Sequence, residues 1–233
     1  VFCVKAYSTD RAATDASRWI GEGTLVVTLQ NGLDNAERLA ERFGADRVLV
    51  GTTSEGATLI AEGDARHAGH GTTVVGAMSP SRNDDAHRFV ELLRDAGFDA
   101  SHASDWRSAV WTKAVLNAAI NPVTAILGVT NGTLAELDPL RRLVMTLAQE
   151  GGSVARRGGV SVPDDLADRA VALCRKTASN RSSMLQDIER GGDTELENIN
   201  GVLLREAARH HLEAQALRAI TELARARALL ARR

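Results

Sequence analysis

Lys113, Asn117 and Asn121 recur at every fourth position within Trp111–Leu127, WTKAVLNAAINPVTAIL. Four residues advance about 400° around an α-helix, so the three stay on one face with a slow drift. Val110, Ala114, Val115, Leu116, Ala118 and Ile120 surround them. A helix this apolar is buried on most sides, with one polar line cut into it. Burying a lysine is costly and pulls its pKa down. In a chemical reading, the lysine is an acid or an anion-binding group and the two amides orient a polar substrate. In a structural reading, the lysine carries its ammonium out to water and the amides bond neighbouring helices. The pattern leaves both open. Pro122 follows the row directly and predicts a kink or a local break in the hydrogen-bond ladder.

A second polar stretch is Asn180–Gln186, NRSSMLQ, followed by Asp187, Thr194, Glu195, Asn198 and Asn200-Gly201. Taken alone it reads as a helix cap and a solvated face. Asn-Gly ordinarily marks a hairpin turn, but helical periodicity resumes at Val202, Leu203 and Leu204, which keeps the segment helical. A third stretch is Asn31-Gly32 at the end of an apolar run. In a doubly wound sheet the loops at the strands' carboxyl ends line the ligand crevice, so Asn31 serves a ligand or makes a turn. Lys5 occupies the equivalent place after the first strand.

Other motifs carry less. Gly69-His70-Gly71 with Gly76 fails the dinucleotide spacing because position 74 is Val. His67 and His70 form an HxxH, but with no carboxylate or third ligand evident no metal is expected. His210-His211 lie near a helix end, where they meet the last carbonyls. Neither a GxSxG nor a P-loop is present.

These residues need elements to position them. Val1–Ala6, Thr24–Gln30 and Arg47–Thr53 read as strands, separated by helices over 10–20 and 33–43, an order that implies parallel pairing with right-handed crossovers. Short Gly-punctuated runs at 58–61, 65–69 and 72–77 suggest antiparallel strands appended to that sheet. A helix over 83–97, ended by Gly97, and a strand over 98–102 follow. After Ser104-Asp105 only helices are expected, over 105–127, 134–157, 163–188, 194–211 and the tail from Glu213. The expected fold is therefore α/β plus all-α, with one domain over 1–104 and a helical one over 105–233.

Composition narrows the function further. Among 233 residues, 28 Lys and Arg nearly balance 30 Asp and Glu, which argues against a nucleic-acid partner. Apolar residues at 44% suffice for a core, and aromatics at 3% leave little for base stacking. Two distant cysteines, Cys3 and Cys174, make no disulfide framework, so a reducing, cytoplasmic setting is expected. No apolar run approaches the ~18 residues of a membrane span, and no membrane partner is expected. The chain opens on an apolar strand with no Met, as a fragment lacking its natural start would.

Taken in order, VKAY with Lys5, LQNGLDN with Asn31, GTTSEGA with Ala57, HAGHGTTVVG, WTKAVLNAAINPVTAI, TNGTL with Asn131 and SSMLQDIERGGDTELENING resemble the ketopantoate reductase (2-dehydropantoate 2-reductase) family. The resemblance runs through most of the chain and is most specific in the two long blocks. It implies a Rossmann-type nucleotide domain joined to a helical substrate-binding and dimerisation domain like that of 6-phosphogluconate dehydrogenases, with the site in the cleft between them. It also implies reduction of 2-dehydropantoate to (R)-pantoate with NADPH, on the route to pantothenate and coenzyme A. Lys113 falls on the family's catalytic lysine, the proton donor to the carbonyl oxygen. Glu195 falls on the glutamate associated with that lysine and with the nucleotide. Asn117, Asn121, Asn131, Asn180 and Ser183 fall on substrate contacts, and Lys5, Asn31 and Ala57 on cofactor-lining positions.

Three departures qualify the match. The family's opening strand, GxGxxG and helix are missing, about 65 residues in all, so the Rossmann-like domain is expected to be truncated. The residues that would read the 2′-phosphate go with them, which leaves NADH beside NADPH. Glu197-Asn198 replace a family pairing of Asp with an aromatic, and the tail lacks the family's Pro-x-Asn segment. The missing strands leave a sheet edge that favours self-association, so a homodimer is among the expected states. A reductase of another 2-oxo acid, and a remnant unable to bind nucleotide, are the alternatives.

Overall fold

Runs of β-branched residues and amphipathic helices alternate through the first half of the chain, and the strands pair as that order requires. The computed structural model describes residues 1–232, without the side chains at 58, 59 and 68. It divides into two compact units, Val1–Val110 and Trp111–Arg233.

The first unit is built on four strands: β1 (Val26–Thr28), β2 (Val48–Thr53), β5 (Thr72–Ala77) and β6 (Asp99–His102), in the order β1-β2-β5-β6. β1 runs parallel to β2 and β5 parallel to β6, each pair joined by a helix, α2 (Asn35–Phe43) and α3 (Asn83–Asp95). β5 is antiparallel to β2. It is thus an interior strand of the sheet, where the sequence suggested an appended one. The remaining strands, β3 (Gly56–Ala61) and β4 (Asp64–Gly69), form a separate antiparallel pair.

Helices cover both sheet faces. Val27, Leu49, Val75 and Ala77 meet Ala86 and Val90 of α3 in one core cluster. Strand alternation sends Val26, Val48 and Val50 to the opposite side, where α2 packs on β1 and β2. The expected strand over Val1–Ala6 contracts to a single parallel bridge between Phe2 and Thr28. A 3₁₀ turn at Ala6–Ser8 ends it and leads into α1 (Thr9–Ala16).

The second unit is helical. α4 (Trp106–Leu127) begins before the division and continues through it. α5 (Asn131–Glu136), α6 (Asp138–Arg157), α7 (Leu166–Lys176), α8 (Ser183–Glu189), α9 (Val202–Arg209) and α10 (Gln215–Leu230) follow. The helix expected over 134–157 is therefore two, divided where Leu137 turns to extended backbone ahead of Asp138-Pro139. The one expected over 163–188 is also two, α7 and α8. Glu197–Gly201 is a π-helical turn leading into α9. The Asn200-Gly201 segment is accordingly helical, as expected, but wider than an α-helix.

α4 is the core of this unit. By length and composition alone it would suit a membrane span, against the expectation that no segment would, but most of it is buried inside the protein. Gly151 lets α6 approach it: a Cβ there would lie 2.9 Å from Val115 Cγ1. The neighbouring residue, Glu150, accepts the N–H groups of Ala216 (3.1 Å) and Leu217 (2.8 Å), capping α10 from a distant element.

Pro122 lies inside α4, and the helix continues past it. Having no N–H, it leaves the carbonyl four residues earlier, Ala118 O, without its ladder donor. Asn200 Nδ2 donates to that oxygen at 3.3 Å from the π turn, and Asn200 is fully buried. Asn200→Ala is expected to lower stability by about 1 kcal/mol or more, through the unpaired carbonyl. In a Pro122→Ala background, which restores the ladder donor, the same substitution should cost measurably less. Urea denaturation of the four proteins of this cycle reads the coupling. Equal losses in both backgrounds would show that the amide does not replace the missing donor.

Candidate active site

The polar row predicted on α4 is present. Lys113 and Asn117 are half-buried and Asn121 is buried, 8% exposed, with Ala114, Val115, Ala118 and Ile120 interleaved and buried. Burial pushes the Lys113 ammonium down to about 8, with Glu195 acting in the opposite direction through its negative charge. Glu195 is 6% exposed and lies just ahead of the π turn. The structure thus brings together two residues 82 positions apart in sequence, a desolvated lysine and a buried carboxylate that opposes its deprotonation. A lysine near 8 exchanges its proton readily at physiological pH, as an acid or base must.

Asn131 opens α5, and its surroundings also come from the segment after α7. Its backbone N–H donates to Asn180 O (3.0 Å), and Gly132 N–H donates to Ala178 O (3.0 Å). The side-chain amide of Asn131 donates to Thr177 Oγ1 at 2.9 Å. Its Oδ1 is buried with no partner among the described residues, an acceptor left for a ligand or water. Gly132 is required there, because a Cβ would come within 2.9–3.1 Å of Ala178. Asn131 and Asn180 are therefore adjacent, although the Asn180 residue itself is exposed.

Ser183 is exposed in the first turn of α8. The hydroxyl that the sequence did not single out, Ser182, is the buried one. Its Oγ accepts Leu185 N–H (3.1 Å), and Thr124 donates to it across 2.7 Å. This N-cap fixes α8 against the last turns of α4. A Ser ahead of a helix start was the available signal.

The remaining predicted positions lie in the first unit. Lys5 is half-buried immediately before the 3₁₀ turn. Asn31 follows β1, and its carbonyl accepts from Asn35 Nδ2 at 2.6 Å. Gly32 has φ 107°, a turn that suits glycine. Behind this loop a buried polar network holds its start: Gln30 Nε2 donates to Val4 O (2.7 Å) and Thr9 Oγ1 (2.9 Å), and Thr9 donates to Asn35 Oδ1 (2.8 Å). The LQNGLDN loop is thus rigid at the carboxyl end of a parallel strand, where α/β sheets take their ligands. Ala57 is an exposed residue of β3.

Comparison with known proteins is consistent with this architecture. Residues 105–228 match the model of the ketopantoate reductase PanE/ApbA C-terminal family, and residues 1–80 that of ketopantoate reductase PanE/ApbA. The 2-dehydropantoate 2-reductase of Halobacterium salinarum is 38% identical over 97% of this chain and 74% of its own length. The crystal structure of a PanE/ApbA family ketopantoate reductase from Ralstonia eutropha JMP134 is 27% identical. It superposes with a TM-score of 0.89 over 100% of this chain and 76% of that one. A D-mandelate dehydrogenase in ternary complex with NADH and anilino(oxo)acetate shares the fold, with a TM-score of 0.91 over 98% of this chain and 75% of that one, at 21% identity. A family model covering more than half of the chain, and a relative 38% identical along almost all of it, establish that the chain belongs to the ketopantoate reductase family.

Proposed function

We propose that the chain carries the substrate-reducing machinery of an NADPH-dependent ketopantoate reductase, with Lys113 as the proton donor to the ketone oxygen of 2-dehydropantoate. The carrying observation is Lys113 itself, desolvated to about 8 and opposed by Glu195, in line with two asparagine amides. Below that pH the ammonium hydrogen-bonds the ketone oxygen and gives up its proton as charge develops there. Glu195 keeps the lysine protonated when burial alone would strip it. Asn117 and Asn121 hold the substrate's hydroxyl and carboxylate, and the unpaired Asn131 Oδ1 accepts from the hydroxyl. Asn180 and Ser183 complete the substrate contacts from the solvent side.

When bound, the nicotinamide cofactor supplies the hydride. Its fit to the first unit rests on the rigid Asn31-Gly32 loop after β1, a polar turn with an amide at a parallel strand's carboxyl end. Lys5 offers a cation for a phosphate, and Ala57 is the further cofactor-lining position, exposed on β3.

Lys113→Ala is expected to lower kcat for 2-dehydropantoate reduction by about 10²–10⁴-fold with an unchanged far-UV circular dichroism spectrum. A loss below tenfold would remove Lys113 from this role. Simpler 2-oxo acids assayed beside 2-dehydropantoate report how far the substrate's hydroxyl matters.

The same lysine sets a pH profile. Reduction needs the ammonium, so kcat should decline as pH rises through about 8. Glu195→Gln removes the opposing anion and should move the decline to lower pH. Stability gives an independent readout. The unfolded lysine keeps its proton up to about 10.5 and the folded one releases it near 8, so unfolding takes up a proton between those values. Stability of the natural chain relative to Lys113→Met should therefore rise across that window, the variant's advantage being largest below pH 8. A flat difference would mean that the lysine is not desolvated.

A further inference from the structure

The HxxH of His67 and His70 offers no third metal ligand of its own. Folding supplies one. Glu55 lies one residue ahead of β3, His67 on β4, and His70 one residue beyond β4. One ligand atom from each lies within 4.8 Å of the other two. We propose that Glu55, His67 and His70 bind one divalent transition-metal ion of the Zn²⁺ class at the base of the β3–β4 hairpin.

The carboxylate is already oriented. Glu55 Oε1 accepts Gly71 N–H at 3.1 Å, and Oε2 lies 2.6 Å from His67 Nε2. Gly71 itself sits directly against the backbone of Ser54, where a Cβ would come within 2.3 Å, and Ser54 N–H donates to Thr72 O (2.9 Å) beside it. The His67 and His70 rings meet edge to face, with centroids 4.4 Å apart and an 88° interplanar angle. Both imidazoles are exposed, which lets an ion enter and lets His70 swing inward.

Two imidazoles and one carboxylate are a recurrent three-ligand zinc set, with a fourth position left to water. Bond lengths of about 2.0–2.2 Å put neighbouring ligand atoms about 3.3 Å apart in a tetrahedral site. The longest separation must close by at most roughly 1.5 Å, within reach of side-chain rotation, and the Glu55–His67 pair must open slightly. Nitrogen donors favour Zn²⁺, Co²⁺, Ni²⁺ or Cu²⁺ over Mg²⁺ and Ca²⁺, which prefer all-oxygen shells. On binding, the two metal–nitrogen bonds and one metal–oxygen bond replace the Glu55–His67 hydrogen bond, and His67 binds as a neutral imidazole whose remaining proton sits on the ring nitrogen away from the ion.

The ion would act as a staple. β3 and β4 make a two-stranded sheet of their own, a unit that is marginal without further support. Linking Glu55 to His70 closes both strands at their common base. Ala57 pairs directly with His67 across the hairpin, so the staple also restrains the strand that carries it.

The test is titration of the full chain with ZnCl₂ by calorimetry and with CoCl₂ by visible absorption, for the natural sequence and for Glu55→Gln, His67→Ala, His70→Ala and the control pair His210→Ala/His211→Ala. One equivalent is expected, with a Co²⁺ ligand-field band. Each of the first three variants should lose more affinity than the about 10–100-fold that second-shell supports contribute, and the control should lose none. Zn²⁺ should also slow amide exchange across 56–69. His70 is exposed, so His70→Ala keeps the test valid should His67→Ala disturb the hairpin. Absence of a stoichiometric Co²⁺ band, or affinity unchanged in His70→Ala, overturns the proposal.

Discussion

Carrying a lysine on a helix that is otherwise apolar is the constraint from which much of the helical unit follows. An ammonium taken from water is held only if its loss of hydration is offset by an opposite charge or if its proton is easily shed. Lys113 shows both, a pKa lowered by burial and partly restored by Glu195. The helix carrying it is also packed closely on the side away from the lysine, where α6 presents a glycine to Val115. The lysine's reactivity is thus a property of the surrounding packing as much as of the residue.

The segment from Glu195 to Gly201 has two tasks on α4, and its shape suits both. Glu195 acts on Lys113, while Asn200 replaces the backbone donor that Pro122 lacks. These residues are five apart. On an α-helix five residues advance about 500°, well past one full turn, which turns the two side chains away from each other. Glu195 precedes the π turn at Glu197–Gly201 and Asn200 lies within it, so the segment departs from regular α-helix between the two. Proline within α4 and a π turn opposite it are matching departures from regular helix. Asn200 also has an unpaired, buried Oδ1, so the arrangement retains a cost that a purely structural core would have shed.

Much of this was legible in the residues. The i, i+4, i+8 row identified α4 and its polar face, and alternating apolar runs located the strands. The rest depends on contacts between distant segments. Asp138-Pro139 is a recognisable helix start, yet apolar periodicity continues on either side of it and reads as one helix. The opening run Val1–Ala6 is apolar enough for a strand but pairs only at Phe2, because the chain turns into a 3₁₀ helix at once. Ser182 and Ser183 are chemically identical, and only the angle at which α8 enters decides which hydroxyl is buried. Glu55 had no visible bond to His67 and His70 because the hairpin that joins them spans more than ten residues. Local spacing reports what a single helix or strand presents. It is silent about which partners a turn will bring back.

Glu150 illustrates a temporal side of the same dependence. The amides that begin α10 are received by a carboxylate on α6, more than sixty residues earlier in the chain. During synthesis α6 leaves the ribosome first, so the acceptor is in place before the amides it receives exist. An isolated α10 peptide would lack this anchor and must meet the nucleation penalty of a free helix. The C-terminal helix is therefore built to dock onto a preformed surface rather than to seed one, and its assembly should report that the rest of the bundle has already folded.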